Sequence, residues 1–327
     1  MNAFKGIKMA FPAFTLRQVR YFLAISESRT VSEAADRLHI SQGALTEALD
    51  ELERHMQLRL FVRRRAHGVS LTPAGKELLS HARALMNAAD EFQSAAATRG
   101  TLLAGRVSIG CYATLAPFIM PALIAAFERH YPALELDLFF GSGEEIAERL
   151  ADGHCDLALV YDFNLPKHTA SDPLYSVEAR IVMPADHPLA AQPEIDLADL
   201  ADEPLIQFGI EPALTNTRRI FEDVGVTPLQ GRSASSIELV RSLVGHGFGY
   251  SILLHHPATE ESYEGRKVVV RRIARFDRRF TVVLARSTYL RPSRRGDQLR
   301  NFCLSCFENG PQTAMPEQAV EYGRKAT

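Results

Sequence analysis

The sequence predicts an α/β protein with an N-terminal winged helix-turn-helix, a long linker helix and a C-terminal two-lobed α/β domain. Three observations support this prediction. Short amphipathic helices fill the first sixty residues, an arginine-rich hairpin and a heptad-spaced helix follow, and from Gly105 short apolar runs alternate with helical spacing. A chain of 327 residues is long enough for two or three hydrophobic cores.

The composition excludes several classes of protein. With 46% hydrophobic and 23% charged residues, the chain is neither disordered nor collagen-like. Lysine and arginine total 37 against 39 acidic residues, which excludes a globally basic nucleic-acid binder but allows a locally basic module. Four cysteines do not make a disulfide framework, and no apolar run is long enough to span a membrane. These features predict a cytoplasmic protein without membrane association.

Three helix starts mark the N-terminal part. Thr15 and Thr30 each stand three residues before a Gln or Glu, the spacing of a capping box, and Ser41 begins a third helix. Behind Ser41, apolar side chains recur at helical intervals, at Leu45, Ala48, Leu49 and Leu52. Three short helices with a tight connection between the second and third match a helix-turn-helix.

The apolar stripe of the third helix leaves its other face free for Gln42, Gly43, Thr46, Glu47 and Asp50. In a recognition helix, Gln42 and Thr46 lie in the first turns, which meet base edges. Glutamine pairs with adenine, and the threonine methyl group contacts that of thymine. The alternative is an ordinary solvated helix face.

An arginine-rich hairpin is predicted after the third helix. No acidic residue occurs from Arg54 to Lys76, and apolar runs at 60–62 and 69–71 flank an arginine cluster of Arg63, Arg64 and Arg65. Arginines on such a wing bind phosphates, which adds affinity without sequence choice. The alternative is a solvated charge run.

A long helix is predicted to begin behind Thr72, with Pro73 at its first position. Its apolar residues alternate between spacings of four and three, at Leu78, Ala82, Leu85, Ala89, Phe92 and Ala96. This heptad seam predicts a rod that pairs two chains and holds two recognition helices about one DNA turn apart. A core helix of a single chain is the alternative.

A series of short motifs runs through residues 16–75. They are Ala34 and Ala35, Leu38, Ser41 and Gln42, Leu45, Leu52 and Glu53, Leu60 and Phe61, Arg63, and the LTPAG stretch at 71–75. The segment resembles the winged helix-turn-helix of LysR-type transcriptional regulators. The resemblance implies that DNA is contacted by Thr30, Ser41, Gln42, Thr46 and Arg63. It also implies a homodimer or homotetramer on an inverted repeat of double-stranded DNA, and contact with RNA polymerase.

Several positions depart from the family pattern. Gly43 replaces the usual proline, and Glu47 and Asp50 stand where basic or amide residues are common. We therefore expect a base preference that differs from the family average. Gln57 replaces the glycine that usually ends this helix, so the helix end must tolerate a positive φ or be built otherwise.

The C-terminal two thirds alternate between strand and helix, which predicts a parallel sheet. The predicted strands are 107–109, 134–140, 156–160, 179–183, 205–208 and 250–254, and the helices are 117–130, 143–151, 215–225 and 235–246. This half resembles the effector domain of the family, which is similar to type 2 periplasmic binding proteins. The expected domains are 14–72, 73–99 and 102–308, with lobe one at 102–167 and 273–308, lobe two at 168–272, and a loose tail at 309–327.

The effector is expected between the lobes, where helix N-termini follow the carboxyl ends of strands. The resemblance implies that hydroxyl groups of Thr114 and Ser142 hold a carboxylate or phosphate, with plain N-caps as the alternative. The remaining predicted residues of the site are Cys111, Gln207, Phe208, Ser235 and Ser236. The predicted effector is a small anion such as a carboxylate.

The sequence contains no recognisable catalytic or metal-binding motif. Cys303 and Cys306 have no second pair, and His255 and His256 have no third ligand at a recognisable spacing. The sequence therefore predicts no enzyme activity, no metal and no cofactor besides the effector. A ligand-responsive regulator is the leading hypothesis. The alternatives are a solute-binding protein or enzyme on the same two-lobed fold, and an architectural DNA binder with a vestigial cleft.

Overall fold

The computed structural model describes residues 12–64, 68–97, 103–165, 168–290 and 292–307. Arg65, residues 98–99 of the predicted linker helix and the predicted tail at 309–327 lie outside these ranges. The chain forms two compact units, which are described separately: Met1–Leu102 with Ala151–His154, and Leu103–Leu150 with Cys155–Thr327. None of the helices in the described ranges is long and apolar enough to cross a bilayer.

The first unit contains three short helices, a hairpin and a long helix. These are α1 (Leu16–Ser26), α2 (Val31–Leu38), α3 (Gln42–Met56), β1 (Phe61–Arg64), β2 (Gly68–Leu71) and α4 (Pro73–Ala97). Apolar side chains from the three short helices, the hairpin and the first turns of α4 form one core, which includes Phe22, Ile25, Leu45, Leu49, Leu52, Leu60 and Leu79.

The predicted helix starts are largely confirmed. Thr15 and Gln18 form a complete capping box at α1. Thr30 caps α2, but the Glu33 carboxylate accepts a hydrogen bond from the backbone N–H of Arg29 instead of closing the box on Thr30. Gln57 ends α3 with a φ of 54°, so this helix end does tolerate a left-handed residue.

The seam of α4 divides into two parts. Leu78 and Ala82 pack on the core of the first unit. Leu85 and Phe92 are exposed on the single chain, and Phe92 retains 80% of its accessible surface. The first turns of α4 thus belong to the core of their own chain, whereas the later seam positions leave large apolar side chains in solvent.

The second unit alternates strands and helices. In chain order these are β3 (Gly105–Tyr112), α5 (Ala116–His130), β4 (Leu134–Gly141), α6 (Gly143–Ala151), β5 (Leu157–Tyr161), β6 (Thr169–Glu178), β7 (Arg180–Pro184), β8 (Glu194–Ile195), β9 (Pro204–Phe208), α7 (Ala213–Val224), β10 (Leu229–Ala234), α8 (Ile237–Gly245), β11 (Ser251–Leu253), β12 (Val268–Ile273), β13 (Arg279–Ser287) and α9 (Arg294–Phe307).

Lobe one is built on a five-stranded sheet with the order β4-β3-β5-β13-β6. β3 runs parallel to β4 and β5, but β13 runs antiparallel to β5 and β6. The expectation of a parallel sheet is therefore correct for the direction of four strands and wrong for β13, which re-enters the lobe in the opposite direction. β6, which was expected in lobe two, belongs to this sheet, so lobe one extends to Glu178.

Lobe two contains a four-stranded sheet, β11-β7-β12-β8, and a parallel pair of β9 and β10. α7 and α8 pack against these strands, and two apolar cores lie between the layers. The carboxyl end of β9 leads through residues 209–212 to the start of α7, which places Phe208 and Ala213 close together at the side of lobe two that carries the cavity described below.

Candidate nucleic-acid interface and ligand cavity

The start of α3 presents a polar surface. Ser41 is its N-cap, with the side-chain oxygen accepting a hydrogen bond from the N–H of Ala44 at 3.2 Å. Gln42, Gly43 and Glu47 are exposed, and Thr46 is half-buried. Because Leu45, Leu49 and Leu52 are buried on the opposite side, α3 offers the face predicted for base contact to solvent.

The turn end of the hairpin is fixed beside the start of α2. The N–H of Val69 donates to the carbonyl of Arg29 at 3.1 Å. Gly68 has a φ of +77° and passes so close to the Arg29 carbonyl that a Cβ atom has no room. Its nearest side-chain neighbour is Thr30, the exposed N-cap of α2. The turn end of the hairpin, at Gly68, and Thr30 therefore form one continuous surface.

Glu53 holds the hairpin to α3. Its carboxylate, which is 5% exposed, accepts hydrogen bonds from the N–H groups of Leu60 at 2.7 Å and Phe61 at 3.2 Å. The Arg59 guanidinium donates to the same carboxylate at 2.7 Å. Sequence reasoning used Glu53 only as part of a motif and missed this contact. Its spacing of seven and eight residues from the two donors carries no local signal.

The hairpin itself has the expected antiparallel register. Phe61 pairs with Leu71, and Arg64 pairs with Gly68. The backbone thus places the predicted phosphate contacts Arg63 and Arg64 on β1, next to the turn. Arg65 follows directly, beyond the described residues.

The second unit contains a cavity of about 30 Å³ between its two lobes. Lobe one contributes Thr114, Tyr161 and Phe163. The remaining lining residues come from lobe two and the segment that follows β11: Phe208, Ala213, Asn216, Thr217, Ile237, Ile252, Leu253, Leu254 and His255. α5 begins two residues after Thr114, and α7 and α8 each begin at a lining residue, so three helix N-termini face the cavity.

Thr114 is the predicted effector residue whose polar group most clearly lacks a hydrogen-bond partner of normal geometry. It is 7% exposed, and its Oγ1 atom makes no hydrogen bond of normal geometry with another described residue. The hydroxyl group of Tyr161 is its electrostatic neighbour. A buried hydroxyl group whose contact to a neighbour falls short of normal hydrogen-bond geometry is costly, and a ligand in the cavity would relieve that cost.

A histidine and two tyrosines form the wall beside Thr114. Nδ1 of His255 lies 2.9 Å from the Tyr161 hydroxyl, and Nε2 lies 3.1 Å from the Tyr175 hydroxyl. The Phe118 ring packs on the imidazole, with 5.4 Å between ring centroids. Shielding from water lowers the pKa of His255 to about 4, so the ring is uncharged at neutral pH.

The other predicted effector residues have different surroundings. Phe208 lines the cavity with Thr114. Ser142 and Ser236 cap helices: the Ser142 hydroxyl donates to the Glu145 carboxylate at 2.9 Å, and Ser236 accepts from Leu239. The N-cap alternative therefore describes Ser142, and Ser236 is an N-cap too.

The last three predicted effector residues also lie away from the cavity lining. The Gln207 amide donates to Gln230 at 2.8 Å, on a separate cleft of lobe two. Ser235 is exposed, just before the cap of α8. Cys111 is fully buried in the lobe-one core, and burial raises the pKa of its thiol. Among the described residues, no group of three His, Cys, Asp or Glu side chains is placed to hold a metal ion.

Both parts of the chain match known families. Residues 16–76 match the lysR family of bacterial regulatory helix-turn-helix proteins, and residues 100–305 match the LysR substrate binding domain. The chain is 30% identical over 242 residues to YvbU, an uncharacterized HTH-type transcriptional regulator of Bacillus subtilis, covering 73% of this chain and 81% of YvbU. It is 32% identical over 260 residues to a probable hydrogen peroxide-inducible genes activator of Mycobacterium avium, covering 71% and 82%.

Solved structures show the same relationship. The crystal structure of HinK, a LysR family transcriptional regulator from Pseudomonas aeruginosa, is 33% identical with a TM-score of 0.59 and covers 91% of this chain and 99% of its own. The exposed start of α3, the two-lobed second unit and these matches lead to one conclusion. The chain belongs to the LysR family of transcriptional regulators, with a helix-turn-helix DNA-binding domain and an effector-binding domain.

Proposed function

We propose that the protein is a ligand-responsive regulator that binds inverted repeats in promoter DNA and senses a small molecule in the cavity between its lobes. The observation that carries the proposal is Thr114, a buried hydroxyl group beside Tyr161 that lacks a hydrogen bond of normal geometry and faces a cavity lined by both lobes. A ligand that binds one arrangement of the lobes better than another shifts the population toward that arrangement.

In this proposal, α3 enters the major groove. Gln42 and Thr46 read base edges, while Ser41, Thr30 and the arginines of the hairpin contact phosphates. Gly43 and Glu47 also lie at the contact surface, where the Glu47 carboxylate accepts from cytosine but repels phosphate. The exposed start of α3 and the fixed turn end of the hairpin support these roles.

The active species in this proposal is a homodimer or homotetramer. Leu85 and Phe92 are exposed at seam positions of α4, and pairing of two such helices would cover them. Such pairing fits the proposed domain plan, in which 14–72 binds DNA, 73–99 links and pairs chains, and 102–308 binds the effector. The protein would act in the cytoplasm, and its response would reach RNA polymerase through the arrangement of the paired DNA-binding units.

Peroxide sensing by a thiol is not part of the proposal. Reactive thiols are exposed and have a low pKa, because the thiolate is the nucleophile. Burial raises the pKa of Cys111, Cys303 and Cys306, and Cys155 is buried. All four cysteines lie within the described residues, and none lines the cavity.

Selection of genomic fragments tests the proposal. The purified full chain is incubated with fragments of its source genome at about 150 mM salt, where non-specific phosphate binding is weak. We expect enrichment of a few promoter regions that share an imperfect inverted repeat, and a change in their recovery when a metabolite extract is added. Uniform recovery of all fragments, with and without extract, would indicate an architectural DNA binder instead.

Gln42→Ala is expected to relax base preference at one position of each half-site, at a cost of about 1–3 kcal/mol, because a bidentate contact to adenine is lost. Affinity for unrelated DNA should change little. Binding is measured on a set of single-base variants of the selected site. Gln93→Ala, which removes an exposed glutamine from α4, is the matched control. Equal weakening on every sequence would contradict base reading by Gln42.

Thr114→Val is expected to abolish the response to the metabolite extract and leave DNA affinity nearly unchanged. The substitution keeps the shape of the side chain and removes the hydroxyl group that faces the cavity. Release of the selected promoter fragment is followed as extract is titrated. Thr227→Val, at an exposed threonine of lobe two, is the control. An unchanged titration would place the effector elsewhere.

A further inference from the structure

We propose that the cavity takes an uncharged molecule with an oxygen that accepts a hydrogen bond from Thr114, and that it discriminates against the matching carboxylate. The inference rests on the proposed function, because it names the ligand class of the same site. It differs from the sequence-based expectation of a small anion.

The lining contains no side chain that could neutralise an anion. No lysine, arginine, aspartate or glutamate is among the twelve described residues around the cavity. The walls are otherwise apolar or carry neutral hydroxyl, amide and imidazole groups. An anion that enters so small a cavity loses its water, and without a counter-charge this loss is not offset.

The ionisable groups around the cavity show that the surroundings disfavour charge of either sign. Burial and the neighbouring Tyr175 raise the pKa of Tyr161 well above its usual value. Of the main influences on this pKa, only the Thr114 hydroxyl lowers it. Burial likewise raises the pKa of Tyr175. Burial lowers the pKa of the base, His255, to about 4. A ligand without net charge suits such a site.

The three helix N-termini do not supply a complete anion site. Several first-turn N–H groups already have acceptors within the chain: Phe118 donates to Leu115, Thr215 to the Glu211 carboxylate, and Leu239 to Ser236. In α5 the position before Phe118 is Pro117, which has no N–H.

Carboxylates lie at two of the helix starts near the cavity. Glu211 lies just before α7 and reduces the positive potential there, whereas Glu238, in the first turn of α8, is paired with the Arg241 guanidinium at 3.2 Å. The partial positive charge that remains at the helix starts suits the oxygen of a carbonyl or hydroxyl group better than a full negative charge.

An isosteric pair of small probes tests the ligand class. The melting temperature of the full chain is measured with acetamide against acetate, each at up to 50 mM and at constant ionic strength. We expect acetamide to stabilise the protein with an apparent Kd at least tenfold lower than that of acetate. Thr114→Val should remove this difference. Ile237→Lys, which adds a cation to the lining, should shift the preference toward acetate.

The outcomes separate the ligand class from the proposed function. Equal or tighter binding of acetate, lost in Thr114→Val, would overturn the uncharged class and leave the cavity as the effector site. No stabilisation by either probe would also overturn the class, and the extract titration of Thr114→Val would then test the cavity independently. Amide binding that persists in Thr114→Val would overturn the contact to Thr114.

Discussion

Replacing Glu53 by alanine is expected to destabilise the DNA-binding unit by about 3–5 kcal/mol, because two buried N–H groups lose their acceptor and each costs about 1–3 kcal/mol. The N–H groups are those of Leu60 and Phe61, residues that are 1% and 7% exposed. The link between α3 and the hairpin would be lost at the same time, so promoter binding should fail.

The Glu53 prediction is tested by calorimetry of the full chain. Adding the selected promoter DNA shifts the unfolding transition of the DNA-binding unit and so identifies it. Glu53→Gln keeps one acceptor oxygen and should lose only about 1–2 kcal/mol. Glu47→Ala removes an exposed glutamate from the same helix and should change stability by less than about 0.5 kcal/mol. If Glu53→Ala were as mild as Glu47→Ala, water would be able to replace the carboxylate.

Arg241→Leu is expected to cost the effector-binding unit about 3–5 kcal/mol, the usual effect of breaking a buried ion pair. The Arg241 side chain is fully buried. Its guanidinium donates to the Glu238 carboxylate at 3.2 Å and to the carbonyls of Thr259 and Glu261 at 2.8 Å each. These contacts attach the segment after β11 to α8, the helix whose first residue, Ile237, lines the cavity, so the effector response should weaken too.

Thermal unfolding of the second unit checks the Arg241 prediction. Arg218→Leu removes an arginine that is 69% exposed and pairs with Glu222, and should cost at most about 0.5 kcal/mol. Adding Glu238→Leu to Arg241→Leu should restore part of the stability, since the carboxylate is no longer left without its partner. A loss below about 1 kcal/mol in Arg241→Leu would contradict a structural role for the buried guanidinium group.

Local patterns predicted much of this fold. The capping residues Thr15, Thr30 and Ser41 and the apolar spacing behind them locate α1 to α3, because caps and 3.6-residue periodicity are properties of neighbouring residues. β10 carries no such signal. All but the last of its residues are exposed, and it forms a strand only through its pairing with β9. The direction of β13 depends on where the chain returns from lobe two, which spacing does not encode.

The candidate site, like the fold, could be predicted from the sequence only where local patterns specify it. Thr114 and Phe208 follow directly from the rule that ligands bind beyond the carboxyl ends of strands. His255 was considered only as a metal ligand, because its partners Tyr161 and Tyr175 are 94 and 80 residues away in the chain. Contacts of this range depend on the topology of both lobes, and no local pattern in the sequence specifies them.

The bridge formed by Tyr161, His255 and Tyr175 gives the cavity wall two alternative hydrogen-bonding states. An uncharged imidazole has two tautomers, and exchanging them reverses the direction of both hydrogen bonds while every heavy atom stays in place. In one state the Tyr161 hydroxyl is free to donate toward the cavity, and in the other it offers a lone pair. The wall can thus match a carbonyl or a hydroxyl group of a ligand without any movement of the lobes.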